Sequence, residues 1–402
     1  MINLLAYIRG FPSETRGSIA AMTGVMLSVL LVAAGGVVDH GRIVNARIDL
    51  QNAVDVATLS AALETDDTSR KVSDRFFEVA LVVDVSSSMI QTGRFDPAVT
   101  ALKSFVDRFE DIPNTRIAIV PFSSRVNYGL RRQSAFGTWN GAAAIPDRWQ
   151  SPHDHYNSNY TRHDWLDGET FAMTRSTPKF RIDWMGCAEP RLDVAVETGD
   201  AAFAPSDSPP GDTPLVAMDH NPAPGKTFCP PPIEALTDDG DYLKRVADAL
   251  TSQGSTRLDA GMDAGWNVLS PRWATVWGSA HAPAPYDQEV LKMLVFMTDG
   301  QMNTMRDPDN PNEYDWACKG AADCDADATD SLLATCRAIN ATGIEIHTVS
   351  YDKDADTTAM RACASSRGLF QIAESDSGGI FIEKVYDRIA DRILARRNVL
   401  TN

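Results

Sequence analysis

Residues 77–88, FEVALVVDVSSS, decide the fold of this chain. Their first seven positions form an apolar run, which is typical of a strand buried on both faces of a parallel sheet. A second run of this kind, KMLVFM at residues 292–297, leads into Thr298, Asp299 and Gly300. Strand patterns alternate with helical patterns between these runs and after them. The sequence therefore predicts an α/β fold with a doubly wound, mostly parallel sheet.

The other expected elements follow from the spacing of apolar residues. Apolar positions three and four apart predict helices at residues 97–109, 241–250, 258–269, 327–342, 357–366 and 379–397. Short apolar runs predict further strands at residues 116–120, 126–128, 344–349 and 369–372. Two segments lack either pattern, residues 129–239 and 301–326. We interpret them as insertions in one domain that spans residues 76–397.

Polar oxygen groups follow the two long strands. Asp84, Ser86 and Ser88 alternate along a tight turn after the first strand, and Asp299 follows the second. Thr256 lies in a loop between them in the sequence. Because the carboxyl ends of parallel strands share the sheet edge at which ligands bind, we expect these side chains to converge. Carboxylate and hydroxyl oxygens without histidine or cysteine favour Mg²⁺ or Mn²⁺ over zinc.

Each of these short motifs also has a simpler interpretation. A lone Asp-x-Ser-x-Ser often caps a helix, and Thr-Asp-Gly alone is an ordinary turn. Their order and their positions after the two strands favour metal binding instead. Together they resemble the metal-ion-dependent adhesion site (MIDAS) of the von Willebrand factor A domain family, with all five positions matched. The resemblance implies that Ser86 and Ser88 bind the metal directly, and that the threonine and aspartates bind it directly or through water. It also implies that an Asp or Glu of a protein partner completes the shell.

The overall charge argues against a nucleic-acid partner, and two further polar clusters are weaker candidates for metal sites. The formal net charge is −17 and the isoelectric point is near 4.8, which argues against a nucleic-acid partner. Residues 153–155, HDH, offer metal ligands inside the first insertion, but a solvated loop is favoured because no third ligand follows from the sequence. The acidic residues between 307 and 315 have the composition of a calcium loop, although Pro308 and Pro311 argue against an EF-hand.

Residues 17–38 contain no charged residue and are long enough to cross a bilayer as one helix. A cleaved secretory signal is one alternative, although its apolar core is usually ~7–15 residues long. A buried globular helix is another. The sequence thus predicts a cytoplasmic N-terminus at residues 1–16, a transmembrane helix at residues 17–38, and an amphipathic helix with a linker at residues 39–72.

Several strings around this apolar segment carry a second resemblance. They are RGSIA at residues 16–20, VDHGR at 38–42, NAR at 45–47, LQNAVD at 50–55 and AA at 61–62. These strings resemble the amino-terminal segment of Flp pilus-assembly proteins of the TadE/TadG type. Proteins of this type that carry a carboxyl-terminal von Willebrand A domain are TadG-like. The resemblance implies a role in Flp (Tad) pilus biogenesis, with other pilus-assembly components as partners.

The cysteines indicate on which side of the membrane the large domain lies. Positive charges on the two sides of the span are nearly balanced. All six cysteines follow the span, and an even number in loops suits an oxidising compartment. Reduced buried thiols are the alternative. Sequence proximity favours the pairs Cys318–Cys324, Cys336–Cys363 and Cys187–Cys229. The sequence therefore predicts a single-pass protein of the bacterial inner (cytoplasmic) membrane, with its large domain extracytoplasmic, in the periplasm.

Three functions are compatible with these motifs. The first is a membrane-anchored adhesion or assembly module whose metal binds a partner's carboxylate, and which is not an enzyme. The second is a metal-dependent envelope hydrolase, but no motif ties a general base to the site. The third is a cytosolic A domain coupled to an ATPase, against which the span and the six cysteines argue. We favour the first.

Overall fold

The computed structural model describes residues 76–129, 132, 150–151, 160–164, 169–175, 187–188, 190–192, 204–210, 230–286, 289–300, 302–306, 314–315, 322–351, 356–373 and 380–396. The chain divides into two compact units, Met1–Arg70 and Lys71–Asn402, and the described residues all belong to the second. The predicted membrane span, residues 17–38, and the segment 39–72 lie outside the described residues. Among the helices that are described, none has the length and apolarity needed to cross a bilayer.

The described strands and helices alternate along much of the chain. In chain order the strands are β1 (Phe76–Asp84), β2 (Thr115–Phe122), β3 (Val126–Asn127), β4 (Gln150–Ser151), β5 (Tyr160–Asp164), β6 (Glu169–Arg175), β7 (Cys187–Ala188), β8 (Glu234–Thr237), β9 (Val290–Thr298), β10 (Met305–Arg306), β11 (Tyr314–Asp315), β12 (Glu345–Tyr351) and β13 (Phe370–Ala373). The α-helices are α1 (Ser87–Gln91), α2 (Phe95–Asp107), α3 (Gly240–Asp248), α4 (Leu258–Leu269), α5 (Ala274–Trp277), α6 (Ala322–Ala341), α7 (Thr357–Cys363) and α8 (Ile380–Ala395).

The main sheet has the order β13-β12-β9-β1-β2-β3-β7, and β8 also pairs with β2. The five strands from β13 to β2 are parallel, whereas β3, β7 and β8 pair antiparallel at one side. This confirms the predicted α/β fold with a mostly parallel sheet. In the register of β1 and β9, Val83 lies opposite Met297, so that the carboxyl ends of the two central strands lie side by side.

Both faces of the sheet are covered by helices. Along β1, Val79, Leu81 and Val83 belong to one core, which they share with α2, α3 and α8. The alternate residues Ala80 and Val82 belong to a second core, shared with α4, α6 and α7. Because side chains alternate between the faces of a strand, a run that is apolar at successive positions can fill both cores. This is the reason why residues 77–83 are apolar with so little interruption.

Helix α4 lies closest to the sheet. All twelve of its residues are buried, including polar Asp259, Asp263 and Asn267. Its two glycines permit this close approach, since a Cβ on Gly265 would lie 2.6 Å from Val82 Cγ2 and one on Gly261 would lie 2.6 Å from the Phe122 ring. The loop that precedes α4 is therefore held firmly at the edge of the sheet.

The structure contains regular elements inside both segments that we interpret as insertions. Strand β8 lies inside the segment 129–239 but pairs with β2 of the main sheet, and α6 begins at Ala322, inside the segment 301–326. The segment 129–239 also contains strands of its own, because β4, β6 and β5 form a small separate sheet. Strand β8 is stabilised by pairing with residues distant in sequence, and a run of four residues carries no periodicity that sequence analysis detects.

Candidate metal centre

The predicted site residues lie at the carboxyl edge of the main sheet. Asp84 is the last residue of β1, and Asp299 directly follows β9. Ser86 and Ser88 lie at the start of α1, and Thr256 lies two residues before α4. The parallel pairing of β1 and β9 brings the two aspartates together, as expected for a doubly wound sheet.

Asp84 is fully buried, and both of its carboxylate oxygens accept hydrogen bonds. The Ser86 amide donates to Oδ1 at 2.8 Å, and the Thr298 hydroxyl donates to Oδ2 at 2.6 Å. Burial, and next the nearby negative charge of Asp299, raise the pKa of Asp84 to about 7. Without a cation beside it, this carboxyl therefore holds a proton far more readily than an exposed aspartate.

The two serines link this end of the sheet to Asp299. Ser88 Oγ donates to Asp299 Oδ1 at 2.6 Å, and the Ser86 and Ser88 hydroxyls lie 2.9 Å apart. Because Ser88 has one hydroxyl hydrogen and donates it to Asp299, Ser86 is the donor between the two serines. The chain of bonds Ser86–Ser88–Asp299 gathers two hydroxyls and a carboxylate within a few ångströms.

Asp299 also forms an ion pair with Arg94. Arg94 Nη1 lies 3.1 Å from Asp299 Oδ2, and the Thr92 hydroxyl lies 3.4 Å from the same oxygen. The Asp299 side chain is fully buried, and the Arg94 side chain is 11% exposed. An ion pair with this little solvent is screened far less than a surface pair. Asp299 thus has a hydroxyl on one oxygen and a guanidinium on the other.

Thr256 reaches the same place from a third loop. The Thr256 amide donates to Asn303 Oδ1 at 2.9 Å, and the Asn303 amide donates back to the Thr256 carbonyl at 3.2 Å. A Cβ on Gly300 would lie 3.5 Å from Thr256 Oγ1 and 3.7 Å from Ser88 Oγ. The two hydroxyls therefore border the space that the missing glycine side chain leaves open.

Backbone contacts fix the Thr256 loop against the serine loop. Gly254 and Ser87 exchange two hydrogen bonds of 2.9 Å, one between the Ser87 amide and the Gly254 carbonyl and the other between the Gly254 amide and the Ser87 hydroxyl. Gly254 has φ +93°, a conformation that favours glycine. Ser252 Oγ donates to the Ser86 carbonyl at 2.6 Å. These bonds set the distance between the two loops without any help from a ligand.

A buried ion pair between Arg257 and Asp259 stabilises the loop that carries Thr256. Arg257 donates from Nε and Nη2 to the two oxygens of Asp259, at 2.9 and 2.8 Å, and both residues are buried. Its Nη1 donates to the Thr304 carbonyl at 3.2 Å, and its amide donates to the Ser123 carbonyl at 3.0 Å. Arg257 thus ties the residue next to Thr256 to two neighbouring loops.

The donor set fits a small divalent cation. Two carboxylates and three hydroxyls meet beside Gly300, whose lack of a side chain leaves a cradle between Thr256 and Ser88. Oxygen donors of this kind suit Mg²⁺ or Mn²⁺. The described residues contain no group of three or more His, Cys, Asp or Glu side chains that could hold a metal ion, so the hydroxyls are an essential part of this donor set.

Sequence analysis predicted five site residues but did not predict the residues that hold these five in position. Thr298, Arg94, Asn303 and the Arg257–Asp259 pair carry no motif of their own. Thr298 is the one with a visible signal, since it directly precedes Asp299 at the end of a predicted strand. The others touch the site through turns and loops whose geometry does not follow from spacing.

The remaining predicted features are described only in part. Cys336 and Cys363 form the expected disulfide, between α6 and α7, with their Cα atoms 5.2 Å apart. Cys187 is also disulfide-bonded, but its partner lies outside the described residues. Cys229 and Cys318 lie outside them too, as do residues 153–155 and 307–313, and Cys324 is described only as a position in α6. The pairing Cys336–Cys363 is thereby confirmed, and the other two pairings stay predictions.

Comparison with known proteins confirms the resemblance of the amino-terminal segment. Residues 17–64 match the family described as "Putative Flp pilus-assembly TadE/G-like". This match covers the predicted span and the helix that follows it, and it confirms the TadE/TadG resemblance for that part of the chain. No curated protein matches the chain significantly in sequence.

Solved structures similar to this chain include two pilus proteins and a protein of the mussel byssus. One is the vWF domain of the type V pili tip protein Mfa5 from Porphyromonas gingivalis, with 12% identity, a TM-score of 0.41, and coverage of 82% of this chain and 97% of that one. Another is the pilus adhesin SpaC from Lactobacillus rhamnosus GG, with 13% identity, a TM-score of 0.40, and coverage of 81% and 31%. A third is proximal thread matrix protein 1 from the mussel byssus, with a zinc-occupied MIDAS motif, 13% identity, a TM-score of 0.38, and coverage of 80% and 46%. The chain thus spans less than half of the last two, and its fold class rests on the strand order and register described above.

Proposed function

We propose that this chain is a membrane-anchored, extracytoplasmic module that binds a protein partner through a divalent metal ion during Flp (Tad) pilus biogenesis. The observation that carries the proposal is the convergence of the five predicted residues at one edge of the sheet. Four of them, Asp84, Ser86, Ser88 and Asp299, are tied together by short hydrogen bonds. Thr256 joins them beside Gly300.

In this proposal Ser86, Ser88, Thr256, Asp84 and Asp299 hold Mg²⁺ or Mn²⁺. When bound, such an ion supplies positive charge at the surface edge, and it attracts an Asp or Glu side chain of the partner. Other residues of the chain hold these side chains in position. Thr298 and the Ser86 amide orient Asp84, and Ser88 and Arg94 orient Asp299. Little rearrangement is then needed for binding, which lowers its entropic cost.

We propose binding rather than catalysis at this site. Two described histidines, His281 and His347, are engaged elsewhere, because His281 Nδ1 bonds to the Leu236 carbonyl and His347 Nε2 bonds to Glu345. The groups that contact the two aspartates are hydroxyls, an amide and a guanidinium that stays protonated. These groups donate hydrogen bonds and fix positions, whereas hydrolysis also calls for a positioned base.

Two observations support the placement in the cell envelope. The TadE/G-like match at residues 17–64 favours a pilus-assembly role with other pilus-assembly components as partners. The Cys336–Cys363 disulfide favours an oxidising compartment such as the periplasm. Residues 17–38 then serve as the anchor in the inner membrane.

Partner capture from an envelope extract tests the proposal. The full chain is compared with Asp84→Ala, in buffer with Mg²⁺ and in buffer with EDTA. We expect the wild type to retain a partner in Mg²⁺ and to lose it in EDTA, and Asp84→Ala to fail in both. Asp248→Ala is the matched control, because Asp248 is an exposed carboxylate that pairs with Lys103 on a helix. Equal capture with and without Mg²⁺ contradicts the proposal.

A further inference from the structure

Arg94 occupies a position that the metal-binding hypothesis leaves without a role. It lies between α1 and α2, where Gly93 has φ +72° and turns the chain back toward the site. The Arg94 amide donates to the Met89 carbonyl at 2.8 Å, and the Arg94 carbonyl accepts from the Ala98 amide at 3.1 Å. Its backbone is therefore fixed at both sides, and its side chain extends to Asp299 Oδ2.

Arg94 and Ser88 contact different oxygens of the Asp299 carboxylate. Ser88 donates to Oδ1, the oxygen linked to the serine loop, and Arg94 Nη1 lies against Oδ2. Since Arg keeps its charge at all ordinary pH values, it offers Asp299 a counter-charge that does not titrate. The Arg94 guanidinium thus helps to hold Asp299 in place.

The charges of the site give Arg94 a second consequence. Asp84 and Asp299 are both buried and would contribute two negative charges when ionised. A divalent cation alone would bring the net charge of the site to zero, so that a further carboxylate would be attracted only by the local field of the ion. With Arg94 included, the loaded site carries one net positive charge. Like charges also repel, so Arg94 must weaken the binding of the metal itself.

We propose that Arg94 is a permanent counter-ion of this site. Its charge weakens metal binding and leaves the metal-loaded site with a net positive charge, which attracts a carboxylate-bearing partner. The inference rests on the proposed metal site, and it assigns the partner's chemistry to the combined charge of metal and Arg94. The partner group is then an Asp or Glu side chain or a carboxyl terminus. Metal and partner carboxylate bind cooperatively, because each offsets the charge that opposes the other.

Metal titration of the purified full chain tests the first half of this inference. Calorimetry with Mg²⁺ alone compares the wild type with Arg94→Gln, Arg94→Lys and Arg108→Gln. We expect Arg94→Gln to bind Mg²⁺ on the order of tenfold more tightly, the effect of removing one unit charge a few ångströms away in a partly solvated site. Arg94→Lys keeps the charge and stays within about threefold of the wild type on the same reasoning. Arg108→Gln removes a charge from the other end of α2, where Arg108 pairs with Asp391, and leaves the affinity unchanged.

Two further readouts separate a charge effect from a merely structural one. In EDTA, Arg94→Gln should melt at a lower temperature than the wild type, because the buried Asp299 carboxylate loses its counter-ion. In the Mn²⁺-loaded chain, acetate should bind Arg94→Gln several-fold more weakly, as measured by the relaxation of water protons at the metal.

The outcomes distinguish this inference from the proposed function. If the wild type binds Mg²⁺ and Arg94→Gln binds it equally or more weakly, Arg94 is a scaffold residue and the inference is wrong while the metal site stands. If the wild type binds no Mg²⁺ but Arg94→Gln does, the inference is supported and the resident metal of the proposed function is refuted. Absence of binding in both chains, with intact folding, overturns both.

Discussion

At the scale of single residues, Asp84 determines how the site responds to pH. Its carboxyl is fully buried, and burial together with the charge of Asp299 raises its pKa to about 7. In an unfolded chain an aspartate titrates near 3.9. Between these two values the folded protein holds a proton that the unfolded chain has lost. In the absence of metal, the contribution of Asp84 to stability therefore falls as the pH rises from about 4 to about 7, and stays low above that.

The first consequence is a pH-dependent affinity for Mg²⁺. Below about pH 7 the metal must displace the proton of Asp84, so we expect the apparent affinity to rise close to tenfold per pH unit there and to level off above pH 7. Mg²⁺ titration of the chain at pH 5.5, 6.5, 7.5 and 8.5 measures this. Asp84→Asn, which cannot ionise, should bind weakly at every pH. An affinity in the wild type that is constant across this range would show that Asp84 is already ionised without metal.

The five residues that sequence analysis predicted for the site are easier to recognise in a sequence than the residues that position them. The five predicted residues stand next to recognisable strands or turns and so are visible in one dimension. The contact between Asp84 and Thr298 depends on the pairing of β1 with β9, which lie over 200 residues apart. The contact of Arg94 with Asp299 depends on the turn at Gly93. Strand order and turn geometry were not available from periodicity, and the supporting residues were therefore missed.

At the scale of elements, α4 shows how close packing positions a loop. The helix is buried along its whole length, and Gly265 lies so near the sheet that an added methyl would meet Val82 Cγ2 at 2.6 Å and Leu294 Cδ1 at 2.7 Å. Contacts this short cannot be relieved by moving one flexible side chain, because Val82 and Leu294 are themselves fully buried. The Thr256 loop takes its position from this fit.

We therefore expect Gly265→Ala to destabilise the domain, although alanine is the better helix former. Overpacking in a filled core costs about 1–3 kcal/mol. Gly240→Ala is the matched control, since a Cβ there would lie 3.5 Å from Val106 Cγ1, an ordinary contact. Replacing glycine at a compatible site stabilises by about 0.4–1 kcal/mol. Urea unfolding of the two variants and the wild type measures both effects. A Gly265→Ala variant as stable as the wild type would mean that α4 can move away from the sheet.

The elements that the sequence predicted best are those whose burial is simple. The central strands β1 and β9 are buried on both faces, and α4 begins and ends at the predicted residues, Leu258 and Leu269. Strand β8 was missed because its four residues are too few to show a period, and it exists through its pairing with β2. The start of α6 was placed too late, since the small and acidic residues 322–326 include no large apolar side chain to mark it.

At the scale of the whole domain, the candidate site and the two ends of the described domain lie at opposite edges of the sheet. The described chain enters at Phe76, the amino end of β1, and reaches Asp84 eight residues later, about 26 Å away along the strand. At the other terminus, Arg396 pairs with Glu345 at the amino end of β12. A fusion at the carboxyl terminus therefore starts from the edge away from the site and leaves the site open.

This geometry makes the compartment of the domain testable in living cells. Because the Cys336–Cys363 disulfide persists only where thiols are oxidised, we expect alkaline phosphatase fused after Asn402 to be active and a cytoplasmic fluorescent reporter at the same place to be dark. Thiol labelling before and after reduction should show Cys336 and Cys363 to be protected until the disulfide is reduced. Cys336→Ser/Cys363→Ser is the control for labelling, and loss of this 27-residue link should cost about 3 kcal/mol of stability in the chain-entropy model. Inactive phosphatase together with freely labelled thiols would place the domain in the cytoplasm and refute the extracytoplasmic proposal, whatever the metal site binds.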